Sequence, residues 1–363
     1  MIKLSVPQIT SSEKKAVLEV LKSGHIACGP KTKDFEEKFS CFIGTQYAVA
    51  ASSGTSALHT ALACSGIKEN DSVITTPFTF IATANSILFC KATPVFCDID
   101  QKTFNIDPDE IKKALNKNPS VKAIICVHLF GLPCDMDAIK SICRQKGLLL
   151  IEDCAQAHGA EYKNKRAGSF GDCGVFSLYA TKNITTAEGG MITTNTKSIA
   201  DRCRRFINHG RIANNKFSEL GYNYRLTDIA SAMGIEQLKK IPLLTEKRIE
   251  NANYLTNRLL KLKHITPPAT PAGYKHVFHQ YVVRVKKDRE KLIQFLSNSG
   301  IQSGVFYPIP IYRQQFYKNS GFAKLRLKNT ETACRQVLSL PVHPGLKKDD
   351  LKKIAGALEK WKK

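Results

Sequence analysis

Lys182 lies in Ser177-Leu-Tyr-Ala-Thr-Lys182-Asn, where the strand-like run Gly174-Val-Phe-Ser177 gives way to a polar turn closed by Gly189-Gly190. Upstream, the apolar run Leu148-Leu-Leu-Ile151 delivers Glu152-Asp153. A lysine and a carboxylate, each leaving the end of an apolar strand, suit pyridoxal phosphate. The amine forms a Schiff base with the cofactor aldehyde, and the carboxylate keeps the pyridine nitrogen protonated so that the ring accepts electrons. A carboxylate at the end of a buried strand is costly without a cationic partner, and a protonated pyridine is one. Most lysines in so basic a chain are solvated surface groups. The apolar run before Lys182 and the glycine turn after it set this one apart.

Other groups fit the same pocket. Ala51-Ser52-Ser53-Gly54-Thr55-Ser56 falls between a strand and a helix, where exposed N–H groups, hydroxyls and the helix dipole favour a phosphate; an ordinary helix cap reads the same way. In Thr76-Pro-Phe78-Thr-Phe80, Phe80 can stack on a planar ring, whereas Phe78 serves equally as core. Gln156 can reach the ring's phenolic oxygen, and His158 either lines the pocket or is a structural histidine. Asn223 and Arg225 offer donors for a phosphate, or belong to a loop capped at Thr227 or Asp228. No His/Cys cluster has zinc spacing, so no metal is expected.

These groups need strands to carry them. From about Tyr47 to Thr194, apolar runs (47–51, 72–75, 93–97, 123–127, 148–151, 174–177 and 191–194) alternate in the earlier part with helical patterns (56–65, 82–90, 107–115 and 135–146). This predicts an α/β layer with a mostly parallel sheet, whose ligands collect at the carboxyl ends of strands. Helices follow at 199–208 and 228–240, and Pro242 opens a further amphipathic stretch to about Leu262. The Pro/Gly-rich loop 264–273 then introduces a small α+β part with a strand at 280–285, a helix at 290–299 and a closing helix at 348–362. The division expected is residues 1–245 and 246–363.

The 363 residues, 43% hydrophobic, describe a globular chain of more than one average domain. No apolar run is long enough to span a bilayer and no signal peptide opens the chain, so a cytoplasmic protein is expected. Twelve cysteines are scattered without a Cys-x-x-Cys pair and read as reduced thiols. The net charge of +23 is spread along the chain without a nucleic-acid-binding motif, which favours an anionic small substrate over nucleic acid.

Together, Ser53 to Ser56, Pro77 to Thr83, Glu152-Asp-Cys-Ala-Gln-Ala-His-Gly159, Phe176 to Asn183, Glu188-Gly-Gly190 and Gly221-Tyr-Asn-Tyr-Arg225 resemble the DegT/DnrJ/StrS sugar aminotransferases, in order and spacing. The resemblance implies a fold-type-I, aspartate-aminotransferase-like architecture, pyridoxal phosphate as cofactor, and a homodimer with shared active sites. It makes Lys182 the Schiff-base lysine, Asp153 the pyridinium partner and Gln156 the phenolic-oxygen contact. Phe80 becomes the stacked aromatic, and Gly54, Thr55, Ser56 and Ser177 the phosphate-binding segment. Asn223 becomes the phosphate ligand from the neighbouring subunit. The implied reaction is a ping-pong transfer of an amine from L-glutamate to a nucleotide-linked deoxy-ketosugar, with the turn after Lys182 looking more like C-4 than C-3 enzymes. A keto-cyclitol acceptor, or a regulatory or nucleic-acid-binding protein that retains the fold, are the alternatives. A family dehydratase would carry histidine at position 182. Loops 24–30, 209–215 and 306–312 are expected to decide the acceptor.

Overall fold

The computed structural model describes residues 1–361. Seven strands form the main sheet: β1 (Tyr47–Ala51), β2 (Ser72–Thr75), β3 (Thr93–Phe96), β4 (Val121–Val127), β5 (Leu149–Asp153), β6 (Cys173–Ser177) and β7 (Gly190–Thr194). Their order is β1-β7-β6-β5-β4-β2-β3. The strands from β3 across to β6 are parallel, and β7 is antiparallel to both β6 and β1. They are short Val/Ile/Leu/Ala-rich runs buried on both faces, as a covered parallel sheet requires. The central β5 places Asp153 between Val127 of β4 and Val175 of β6, at the carboxyl edge.

Eight helices accompany this sheet: α1 (Ser11–Ser23), α2 (Pro30–Ile43), α3 (Gly54–Cys64), α4 (Ala82–Phe89), α5 (Pro108–Lys117), α6 (Met136–Lys146), α7 (Lys197–Phe206) and α8 (Asp228–Leu259). The alternation expected from the sequence is present, with α3, α4, α5 and α6 each following a strand. One expectation is corrected. Residues 228–259 form a single 32-residue helix that runs through Pro242 instead of restarting there. An interior proline costs about 3 kcal/mol. Leu238, Ile241, Leu244 and Thr245 are buried on either side of it, and this packing holds the helix continuous.

The C-terminal part has a three-stranded antiparallel sheet of β8 (Ile265–Thr266), β9 (Tyr281–Val285) and β10 (Val337–Leu340), with α9 (Arg289–Asn298), α10 (Lys328–Gln336) and α11 (Lys348–Lys360). Its core joins Leu255 and Leu259 of α8 to Tyr281, Val283, Leu296, Leu338, Ile354 and Leu358. Ile2 bridges to Ile301 and packs in the same cluster, so the chain's first residues belong to this part. Residue 245 falls inside α8.

Candidate active site

Asp153 and Lys182 face one cavity of about 810 Å³. Asp153 is buried at the end of β5. Its Oδ2 accepts the Thr83 hydroxyl at 2.8 Å and its Oδ1 accepts the Ala155 N–H at 3.1 Å. Burial pushes the Asp153 carboxyl up, while these two hydrogen bonds and the Lys182 charge pull it back. Burial also lowers the Lys182 amine to about 8, and Asp153 opposes that shift. The backbone after Lys182 is held by α8: Gln237 Oε1 accepts the Thr185 N–H at 3.2 Å.

The segment expected to bind phosphate forms where β1 runs into α3. A Cβ on Gly54 would lie 2.8 Å from the Ser177 Cβ, so only glycine lets the helix start approach β6 this closely. A Cβ on Gly190 would meet the Ser53 carbonyl oxygen at 2.2 Å. Gly54, Thr55 and Ser177 line the cavity. Ser56 does not. Its hydroxyl accepts the Ser53 N–H and donates to the Ser53 carbonyl, both at 2.9 Å, and Ser53 Oγ accepts the Ser56 N–H at 3.0 Å. The capping role, which the sequence left open for this segment, is the one Ser56 takes.

Gln156 lines the cavity, its Oε1 accepting the Phe130 N–H at 2.7 Å. Phe80 lines the cavity and is 59% exposed. Phe78 is core, packed against Phe104, Phe130 and Tyr307. Asn223 is exposed, bridges to Asn208 and does not line the cavity of its own chain. Arg225 donates to Asn208 Oδ1 at 2.6 Å, and Thr227 caps α8. Asp228 turns the other way and accepts the N–H groups of Gly29, Lys31 and Thr32 at the start of α2. His158 is buried against Phe176, where burial and the Lys182 charge hold its ring neutral with a pKa of about 3.

The loop 306–312, expected to decide the acceptor, reaches the cavity through Phe306 and Tyr307, while the places of His279 and Glu152 were not expected from the sequence. Tyr307, from the C-terminal part, lines the cavity and accepts a hydrogen bond from Gln156 Nε2 at 3.2 Å. His279 also lines it, with Nδ1 3.2 Å from Asn183 Oδ1. Glu152 accepts the N–H groups of Gly168, Phe170 and Gly171 and meets His128 Nε2 at 3.0 Å, which fixes the turn between β5 and β6. The same folding gathers His128 with Cys126 and Cys134, and with Glu152 and Cys154, their donor atoms within 4.8 Å, a proximity that linear spacing concealed. Both His128 nitrogens are engaged there, Nε2 by Glu152 and Nδ1 by the Cys134 N–H at 3.0 Å.

The cavity thus combines an amine with a depressed pKa, a buried acid, a glycine-permitted helix start beside a serine, and an aromatic ring at the wall. These residues fit pyridoxal phosphate: Gly54, Thr55 and Ser177 for its phosphate, Asp153 for its pyridine nitrogen, Lys182 for its aldehyde. Residues 7–359 match the DegT/DnrJ/EryC1/StrS aminotransferase family. The chain belongs to that family. Members of the DegT/DnrJ/EryC1/StrS family depend on pyridoxal phosphate. The chain is 37% identical to GDP-perosamine synthase of Caulobacter vibrioides, over 99% of this chain and 97% of the relative. Its fold superposes on PseC of Helicobacter pylori, an aminotransferase of pseudoaminic acid biosynthesis, with a TM-score of 0.94 and 33% identity, covering 99% and 98% of the two chains. The pyridoxal phosphate form of the sugar aminotransferase Spr1654 from Streptococcus pneumoniae gives 0.92 at 29% identity, covering 98% and 97%.

Proposed function

We propose that the protein transfers the amino group of L-glutamate to the C-4 keto group of a nucleotide-linked deoxysugar, in a ping-pong cycle that supplies amino sugars for surface polysaccharide. The observation that carries this reading is the placement of Lys182 and Asp153 in one cavity large enough for a nucleotide-bearing substrate. Bound pyridoxal phosphate supplies an electron sink that takes an amine from one substrate and passes it to the next. Lys182 is the base that would move a proton between the substrate carbon and the bound cofactor. With a pKa of about 8, roughly a quarter of its amine is neutral at pH 7.5, against about one part in a thousand for an ordinary lysine.

Asp153 would keep the pyridine nitrogen of the bound cofactor protonated, and hydrogen bonds from Thr83 and Ala155 hold its carboxylate in place. Phe80, at the cavity wall, would offer its ring to stack on the cofactor. Asn223 of a second copy completes the phosphate site, since Asn223 lies outside its own cavity. The net charge of +23 favours a dianionic diphosphate substrate. A regulatory or nucleic-acid-binding role has no use for a depressed lysine opposite a buried acid. Among the described residues no helix is long and apolar enough to cross a membrane.

The test is a screen of nucleotide-linked ketosugars with L-glutamate, reading 2-oxoglutarate and then locating the new amine by NMR. Wild-type protein is expected to be coloured and to retain cofactor at Lys182 after borohydride. Lys182→Ala is expected to lose turnover while keeping its oligomeric state. Full turnover by that variant, or amination at C-3, would contradict the assignment.

A further inference from the structure

Among the described residues, no protein acceptor takes the hydroxyl proton of Tyr307. The Phe130 N–H donates to Gln156 Oε1 at 2.7 Å, which fixes the amide orientation and leaves Nε2 as the donor. One hydrogen of Nε2 goes to the Tyr307 oxygen at 3.2 Å. Tyr307 therefore accepts from Gln156, and its own proton must go elsewhere. Among the described residues no other hydrogen bond of Tyr307 is found, and its side chain lines the cavity. Burial raises the phenol well above its ordinary range, with the Gln156 hydrogen bond opposing and the Asp153 charge adding to the rise, so the group remains a donor.

The second Nε2 hydrogen of Gln156 also remains for the cavity. The two N–H directions of an amide diverge by about 120°, so an acceptor on the second lies about 5 Å from the Tyr307 oxygen. One atom cannot take both. In the proposed reading the polar atoms of the cofactor already have partners: its phosphate the Gly54 segment, its pyridine nitrogen Asp153 and, as the family resemblance implies, its phenolic oxygen Gln156. We infer that the Tyr307 hydroxyl is a specificity donor for the acceptor substrate, hydrogen-bonding a sugar oxygen beside the carbon that receives the amine. Tyr307 stands in the segment 306–312 and its ring packs at 6.1 Å against Phe78, which places a residue of the C-terminal part in the site of the main sheet.

The inference rests on the proposed function and is tested with Tyr307→Phe, which keeps the ring against Phe78 and removes only the hydroxyl. The probes are GDP-, UDP- and dTDP-linked 4-keto-6-deoxyhexoses, used with whichever the wild-type enzyme aminates, and the corresponding 4-amino product in a calorimetric titration. The variant is expected to run the L-glutamate half-reaction within twofold of wild type. Its KM for the ketosugar should rise about tenfold, and its affinity for the amino-sugar product should fall by the same factor. Equal losses in both half-reactions would overturn the inference, because the hydroxyl would then serve the cofactor through Gln156. Unchanged sugar binding would overturn it by leaving Tyr307 with packing alone. Wild-type protein that aminates none of the three probes would contradict the proposed function itself, a failure visible before any variant is made.

Discussion

Lys182 is poised by two opposed influences: burial strips its ammonium of water, and the Asp153 carboxylate returns part of that stabilisation. Removing the acid leaves only the first. In cofactor-free protein, Asp153→Asn is therefore expected to lower the Lys182 pKa below its wild-type value of about 8. The change is read from the pH dependence of Lys182 acylation by an amine-specific reagent, followed by peptide mass mapping. A midpoint that stays put or climbs would show that the two groups do not sense each other. The same substitution should weaken cofactor-dependent turnover at least a hundredfold, because a neutral amide cannot hold the pyridine nitrogen protonated.

The helices place this lysine through a chain of hydrogen bonds from α1 to α8. Glu13, 1% exposed, accepts the Thr10 N–H at 2.8 Å, Gln237 Nε2 at 2.7 Å and Lys240 Nζ at 2.5 Å. Gln237 gives its other hydrogen to the Gln8 carbonyl at 2.8 Å and accepts from Thr185, three residues past Lys182. Burial alone would raise the Glu13 carboxyl, but the hydrogen bonds from Lys240, Thr10 and Gln237 outweigh it and hold the pKa at about 2, below the ordinary 4.5. A lowered carboxylate pKa contributes stability that is complete above about 4.5 and is lost as pH falls through 2. Glu13→Gln is expected to cost about 1–2 kcal/mol near neutral pH. That deficit should shrink towards pH 2 in urea denaturation, and a deficit independent of pH would locate the effect in packing.

Periodicity exposed the main sheet because its strands are Val/Ile/Leu runs bounded by turns, and Lys182 and Asp153 followed from strand ends. The buried spacing of Phe35, Phe39 and Ile43 carries the helical signal for α2. Pro242 misled because propensity says nothing about the packing on either side of it. The sequence points to the loop 306–312 but not to Tyr307 within it, since only a hydrogen bond across 151 residues distinguishes that side chain.

At the scale of the whole molecule, a single chain leaves its cavity open: Phe80 and Tyr179 line it and remain exposed, and the hairpin of Arg211–Ala213 and Lys216–Phe217 projects exposed Ile212 and Phe217. The Asn208–Asn223 bridge lies just outside that hairpin. In the arrangement proposed above, a second copy would cover these apolar side chains and its Asn223 would complete the phosphate end of the opposite cavity. Such sharing has a quantitative signature. Lys182→Ala should be inactive, and Asn223→Ala should bind cofactor weakly and turn over slowly. In a mixed dimer of the two, one site carries both defects while the other combines an intact Lys182 from one chain with an intact Asn223 from its partner. Random exchange of equal amounts makes half the dimers mixed, so about a quarter of the sites regain full function. Recovery of activity towards that fraction after mixing and reassociation supports a site built from two chains. If Asn223 instead served its own cavity, every site in the mixture would carry one defect, and mixing would restore nothing beyond the residual activity of Asn223→Ala.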